Sequence, residues 1–244
     1  MCTVVIEVPG DQATPIRLLA VRDEDPARAW DPPGQWWPTG FPNTWGVRDR
    51  RANGAWLAYA NQPGRLAVVL NRAAEVVEPS AGFTSRGTLV LDTIAGSVLQ
   101  DPPSTPAFTL LDVHGGTAAT VSWDGISLRR KLLAPGVHMI AHHDVNDQAS
   151  PRIARWLPEF QALAGTPDDA WREAWLELLA RSAELGPDDD RAIVRDNTVH
   201  GFPTLSLLAC LAEIDESGVA LDWAEFDPPG TWANPAFHSG DHRA

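Results

Sequence analysis

The chain has two cysteines, one tyrosine, no surplus of positive charge and no long apolar run. Each shortage excludes something. Cys2 and Cys210 stand at opposite ends of the sequence, so there is no disulfide framework. Cys210 lies inside Leu205-Ser206-Leu207-Leu208-Ala209-Cys210-Leu211, which predicts an inert thiol in the core. A net charge of −13 and a pI near 4.8 leave no basic stripe for phosphates, which argues against a nucleic-acid partner. No run approaches the ~20 apolar residues of a membrane helix. Glu7, Asp11 and Arg17 interrupt the early apolar stretch, so no signal peptide is expected and a cytoplasmic location is.

What is present is a chain of 244 residues, 44% hydrophobic and 21% charged, the balance of a globular protein. Eleven tryptophans stand against the one tyrosine. Residues 26–46 hold Trp30-Asp31-Pro32-Pro33-Gly34-Gln35-Trp36-Trp37-Pro38, which reads as a long, ordered loop. Its indoles suit a wall or lid over a cleft, or plain packing anchors.

Alternating apolar residues predict a hairpin of Thr3–Val8 and Ile16–Val21. A second hairpin pairs Ala55–Tyr59 with Arg65–Leu70. Thr88–Leu99 suits a helix ended by Asp101-Pro102-Pro103. Phe108–Val113, Ala118–Trp123, Ile126–Leu133 and Val137–His142 read as successive strands. Ile153, Trp156, Leu157 and Phe160, then Trp171, Trp175, Leu178 and Leu179, recur at helical spacing, and core is the better reading of those faces. Leu205–Ala212 and Val219–Trp223 return as strands. The order predicts one α+β domain over residues 1–244, with a loosely held tail from about 226.

Cys2 carries the chemistry. Met is commonly trimmed before a small side chain, and Cys2 would then hold a free α-amine beside its thiol. The unperturbed amine titrates near ~8, close to the thiol. It can take the thiol proton without a histidine, which is how an N-terminal nucleophile works. The plain alternative is a cysteine that merely follows Met in an apolar strand. The first hairpin favours the functional reading, because it brings the Arg22-Asp23-Glu24-Asp25 run beside Cys2. A cation there lowers the thiol pKa, and a carboxylate holds or orients the amine.

The segments Met1-Cys2-Thr3, Leu18-Leu19-Ala20-Val21-Arg22-Asp23-Glu24, Gly54-Ala55-Trp56-Leu57-Ala58 and Leu70-Asn71 resemble the NRDE family, named for its Asn-Arg-Asp-Glu motif. The transport and Golgi organisation 2 proteins are its eukaryotic relatives. Ser85-Arg86-Gly87 and Pro135-Gly136-Val137-His138 also match. The resemblance implies an αββα four-layer sandwich of the N-terminal-nucleophile hydrolase type. It implies Cys2 as nucleophile and base, Arg22 and Asp23 as its support, and Asn71 as an oxyanion donor. Val21 replaces the first Asn of the motif, and Ala55 and Ala58 replace Thr and Gly. Ala141-His142 stands where relatives have Thr-Asn, so His142 has to donate instead or the function is absent. Gly201-Phe202-Pro203-Thr204 lacks an Arg that relatives carry.

Two function classes and a scaffold follow. One is a hydrolase acting on a C–N bond of a small amide through an acyl-enzyme on Cys2. Another is a carrier of haem or another hydrophobic small molecule, since relatives are linked to haem trafficking. The third is a scaffold with neither role. No cofactor is expected. His138 and His142 share a strand face that His143 opposes, so no metal site is expected without a bend.

Overall fold

A computed structural model describes residues 2–11 and 13–240. It is a mixed α+β fold with two antiparallel sheets and three helices. The described chain groups into two compact units. One holds the residues up to Ala27, Pro135–Glu213 and the described residues from Leu221 to 240; the other holds Arg28–Ala134 and Ile214–Ala220.

In the first unit, β1 (Thr3–Val8) lies between β2 (Ile16–Glu24) and β10 (Gly136–Ile140), antiparallel to both. The sheet continues beyond β2 with β11 (Leu205–Asp215), β12 (Gly218–Glu225) and the short β13 (His238–Ser239). The hairpin register pairs Thr3 with Val21 and Val5 with Leu19. One face of β1 and β2, bearing Val5, Leu19 and Val21, packs with α2 (Pro151–Ala162) and α3 (Trp171–Ala183). The alternate residues Val4, Ile6, Leu18 and Ala20 are equally buried on the other face.

The helical tryptophans are core. Trp175 meets Phe160 edge-on at 5.5 Å and Trp171 at 5.2 Å, the geometry that ring quadrupoles favour. Trp156 donates its indole N–H to Arg191 O at 2.7 Å, and Trp171 donates to Glu213 Oε1 at 2.8 Å. From Phe226 to residue 240 the chain stays in contact with this unit. Phe226 N donates to Leu207 O at 2.7 Å, Gly230 N to Ser206 O at 2.7 Å, and β13 pairs with Asp222 and Trp223.

The second unit is a meander in strand order: β3 (Trp30–Gly34), β4 (Trp45–Asp49), β5 (Ala55–Asn61), β6 (Gly64–Asn71), β7 (Phe108–His114), β8 (Thr117–Trp123) and β9 (Leu128–Leu132). The stretch read as a long loop therefore contains one strand, β3, and ends in the first residues of a second, β4. Pro32 and Pro33 hid the first of them. They are tolerated because β3 is an edge strand, where half of the ladder bonds have no partner. Asp31, buried on β3, accepts from Arg48 Nε at 2.6 Å and Arg50 Nε at 2.7 Å. Trp37 donates to Asn53 O at 2.8 Å and joins the core of this unit, with Trp36 packed against it.

The helix α1 (Arg86–Ile94) covers β5, β6 and β7. It ends sooner than the apolar spacing predicts, because Ala95 caps it and Gly96 turns away at φ 76°. Ser85 caps its start, accepting from Gly87 N at 3.1 Å. A Cβ on Gly54 would lie 2.7 Å from Gly87 Cα, so only glycine fits where α1 meets the start of β5.

Trp175 is buried between two other rings, so Trp175→Ala is expected to cost about 3–5 kcal/mol. Urea unfolding of both chains by far-UV circular dichroism measures it.

Candidate functional site

The site lies at one end of the first sheet. Because Thr3 pairs with Val21, Cys2 enters beside Arg22 and Asp23. The Asp23 main chain clamps the sulfur from both sides. Its N–H donates to Cys2 Sγ at 3.4 Å, and its carbonyl accepts from the thiol at 3.7 Å. The Asp23 carboxylate is itself buried and accepts from neutral donors. Ser206 Oγ donates to Oδ1 at 2.6 Å, and Asn197 Nδ2 approaches Oδ2 at 3.4 Å. Ser206 Oγ also accepts from Arg195 N at 3.0 Å, so one hydroxyl ties the start of β11 to the preceding segment.

Three buried arginines surround this group. Arg22 approaches Glu24 Oε2 at 3.7 Å. Arg152, on α2, donates to Thr3 Oγ1, one residue from the thiol. Arg195 pairs with Asp190 Oδ1 at 3.1 Å. Burial lowers the Arg152 pKa to about 10 while the Asp23 carboxylate opposes the shift, so it remains a cation at neutral pH.

His142 lies just beyond β10, not on it as the sequence predicts. Asn146 folds the chain back there, its Oδ1 accepting from Met139 N at 2.9 Å and its Nδ2 meeting His138 Nδ1 at 3.0 Å. Burial lowers the His142 pKa to about 4, and the charges of His143, Arg152 and Arg195 add to the fall. It is therefore neutral at pH 7, with one N–H to donate. His143 stacks obliquely on it at 4.3 Å. No group of three or more metal-ligating side chains converges among the described residues.

Burial raises the Cys2 thiol pKa, and the Asp23 carboxylate adds to the rise. Its hydrogen bond from Asp23 N and the Arg22 charge lower it without prevailing. The expectation that Arg22 would favour the thiolate thus meets a larger desolvation cost. Cys210 is also raised by burial, and it is wholly enclosed, whereas Cys2 keeps 8% exposure.

Of the residues singled out by sequence, the first unit brings together Cys2, Arg22, Asp23 and His142. Asn71 is exposed at the exit of β6 in the second unit. Sequence reasoning missed Arg152, Arg195, Asn197 and Ser206. Arg152 had a signal, because it precedes Trp156 by four residues on the face that α2 buries.

The family model for Transport and Golgi organisation 2 matches residues 1–190. The chain belongs to this family. The match takes in Cys2, Arg22, Asp23, His142 and Arg152, and it stops short of Asn197 and Ser206. No curated protein matches the chain. No helix among the described residues is long and apolar enough to cross a membrane.

The depressed His142 pKa has a checkable consequence. The unfolded chain takes up this proton near ~6.5 and the folded chain only near 4. Stability is therefore complete above about 6.5 and falls as the pH drops toward 4. Urea midpoints measured across that range should fall less for His142→Gln than for the wild type.

Proposed function

We propose that this family member is an N-terminal-nucleophile hydrolase that cleaves a C–N bond of a small amide through an acyl-enzyme on Cys2. The carrying observation is the clamp on the Cys2 sulfur by Asp23, whose carboxylate is fixed in turn by Ser206 and Asn197. A cysteine that only filled space in a strand would not require such a built surround. The two sheets and three helices are compatible with the αββα sandwich that the resemblance implies, folded as a single NRDE-like domain.

The chemistry needs the nitrogen of Cys2 as an amine and not an amide. Freed by loss of Met1, it removes the thiol proton and offsets the desolvation that now raises the thiol pKa. The thiolate attacks the acyl carbon, the amine protonates the departing nitrogen, and water then releases the acid. Arg22 and Asp23 hold the pair in place. The neutral imidazole of His142 supplies a donor to the oxyanion where relatives have an asparagine. The donor role of Asn71 rests on the resemblance alone.

Met1 lies outside the described residues, and mass measurement decides its fate directly. Limited iodoacetamide labelling followed by peptide mapping should show des-Met Cys2 modified with Cys210 untouched. Retained Met1 with equal, slow labelling of both thiols would overturn the hydrolase reading and favour a carrier or scaffold.

A further inference from the structure

The contacts around Asp23 single out Asn197, whose side chain is wholly buried. Its amide nitrogen faces Asp23 Oδ2 at 3.4 Å, Thr204 O at 3.2 Å and Thr204 Oγ1 at 3.1 Å. These oxygens settle which end of the amide is nitrogen, because Oδ1 turned toward them would meet two oxygens with no proton to give. Oδ1 therefore faces away from them, and no donor among the described residues reaches it. A buried carbonyl oxygen without a donor is uncommon and asks for an explanation. A single residue separates Asn197 from Cys2. The main chain of Asp23 holds the sulfur, and its carboxylate meets the amide.

We infer that Asn197 Oδ1 and the Asp23 carboxylate are paired acceptors for the α-amine of Cys2 once Met1 is removed. The inference rests on the hydrolase reading above and adds a residue that the family match does not reach. Removal is hydrolysis by a methionine aminopeptidase. The Met1–Cys2 C–N bond breaks, and water gives its hydroxyl to the methionine carboxylate and a hydrogen to the new amine. The resulting ammonium has three N–H directions. Asn197 and Asp23 take two, and the third is left for Sγ. Asn197 is thus a positioning residue that aims the base at the sulfur and does not touch the acyl group.

Other charges act on the same place: Arg22 from β2, Arg152 from α2, Arg195 and Asp190 from the segment after α3, and His142 with His143 from the loop after β10. Of these His142, a neutral imidazole, has an uncharged acceptor nitrogen, and the hydrolase reading commits that ring to the oxyanion. The carbonyl of Asn197 accepts from the amine in either protonation state, so it holds the base in position through the reaction.

The experiment compares trimmed and Met-retained protein, the latter from cells treated with a methionine aminopeptidase inhibitor. Trimmed wild type should melt higher than the retained form, and Asn197→Leu should abolish that gap. In trimmed Asn197→Leu, iodoacetamide labelling of Cys2 at pH 7 should slow about tenfold, the equivalent of one net hydrogen bond. Its pH midpoint should rise, because a misdirected ammonium stabilises the thiolate less. Thr204→Val loosens the amide without removing it and should shift both readings in the same direction by less. It decides the matter if Asn197→Leu does not fold.

Trimmed variants with the wild-type melting gap and labelling profile would overturn the role of Asn197 and leave the hydrolase reading standing. Retained Met1 in the untreated wild type would overturn both. If trimmed Cys2 labels as slowly as Cys210, the hydrolase reading fails, and the melting gap alone decides for or against Asn197.

Discussion

A carboxylate buried at the end of a sheet governs this structure. Asp23 is taken out of water, and a buried charge is tolerated only when its oxygens are engaged. Ser206 and Asn197 engage them, and Arg152 adds a cation close by. Because Ser206 opens β11 and also holds Arg195, the position of one carboxylate fixes the strand beside it and the segment leading into it. The same residue holds the Cys2 sulfur through its main chain. The start of the chain, the end of β2 and residues 190–206 are thus set by a common contact. A change at any of them reaches the thiol.

The thiol itself illustrates a competition of magnitudes. The Arg22 charge favours the thiolate, yet removal from water disfavours it more strongly. The two cysteines of the first unit differ in what surrounds them. Cys210 sits within an apolar strand, and the Arg22 charge offsets its burial only in part. Cys2 sits among hydrogen-bond donors, acceptors and three guanidinium groups. Family membership together with this surround supports reading Cys2 as the reactive one.

How legible this was depended on whether the signal was local. The first hairpin was readable because alternation and an abrupt switch to charge after Val21 both lie within twenty-odd residues. The helices after Pro151 were readable from apolar spacing, and their tryptophans are core for the reason that spacing implies. The edge strand β3 was not readable, since two prolines outweigh a strand signal until its place in the sheet is known. Asn197 and Ser206 were invisible because their importance comes from pairing with Asp23 more than 170 residues away. The Gly54 and Gly87 segments were noted separately as family-like, and only the packed helix shows that each glycine exists for the other.

The seven-stranded sheet has one further property. Its two outermost strands are β3 and β9. The first presents consecutive prolines, which have no N–H to offer an incoming strand. The second carries Arg129, Arg130 and Lys131, all exposed, so a second copy of this edge would be met by like charge. Open sheet edges are where folded chains recruit one another into aggregates. Here one edge is chemically unable to extend the ladder along its prolines and the other repels its own copy. Both ends of the meander thus carry residues that disfavour the addition of a further strand.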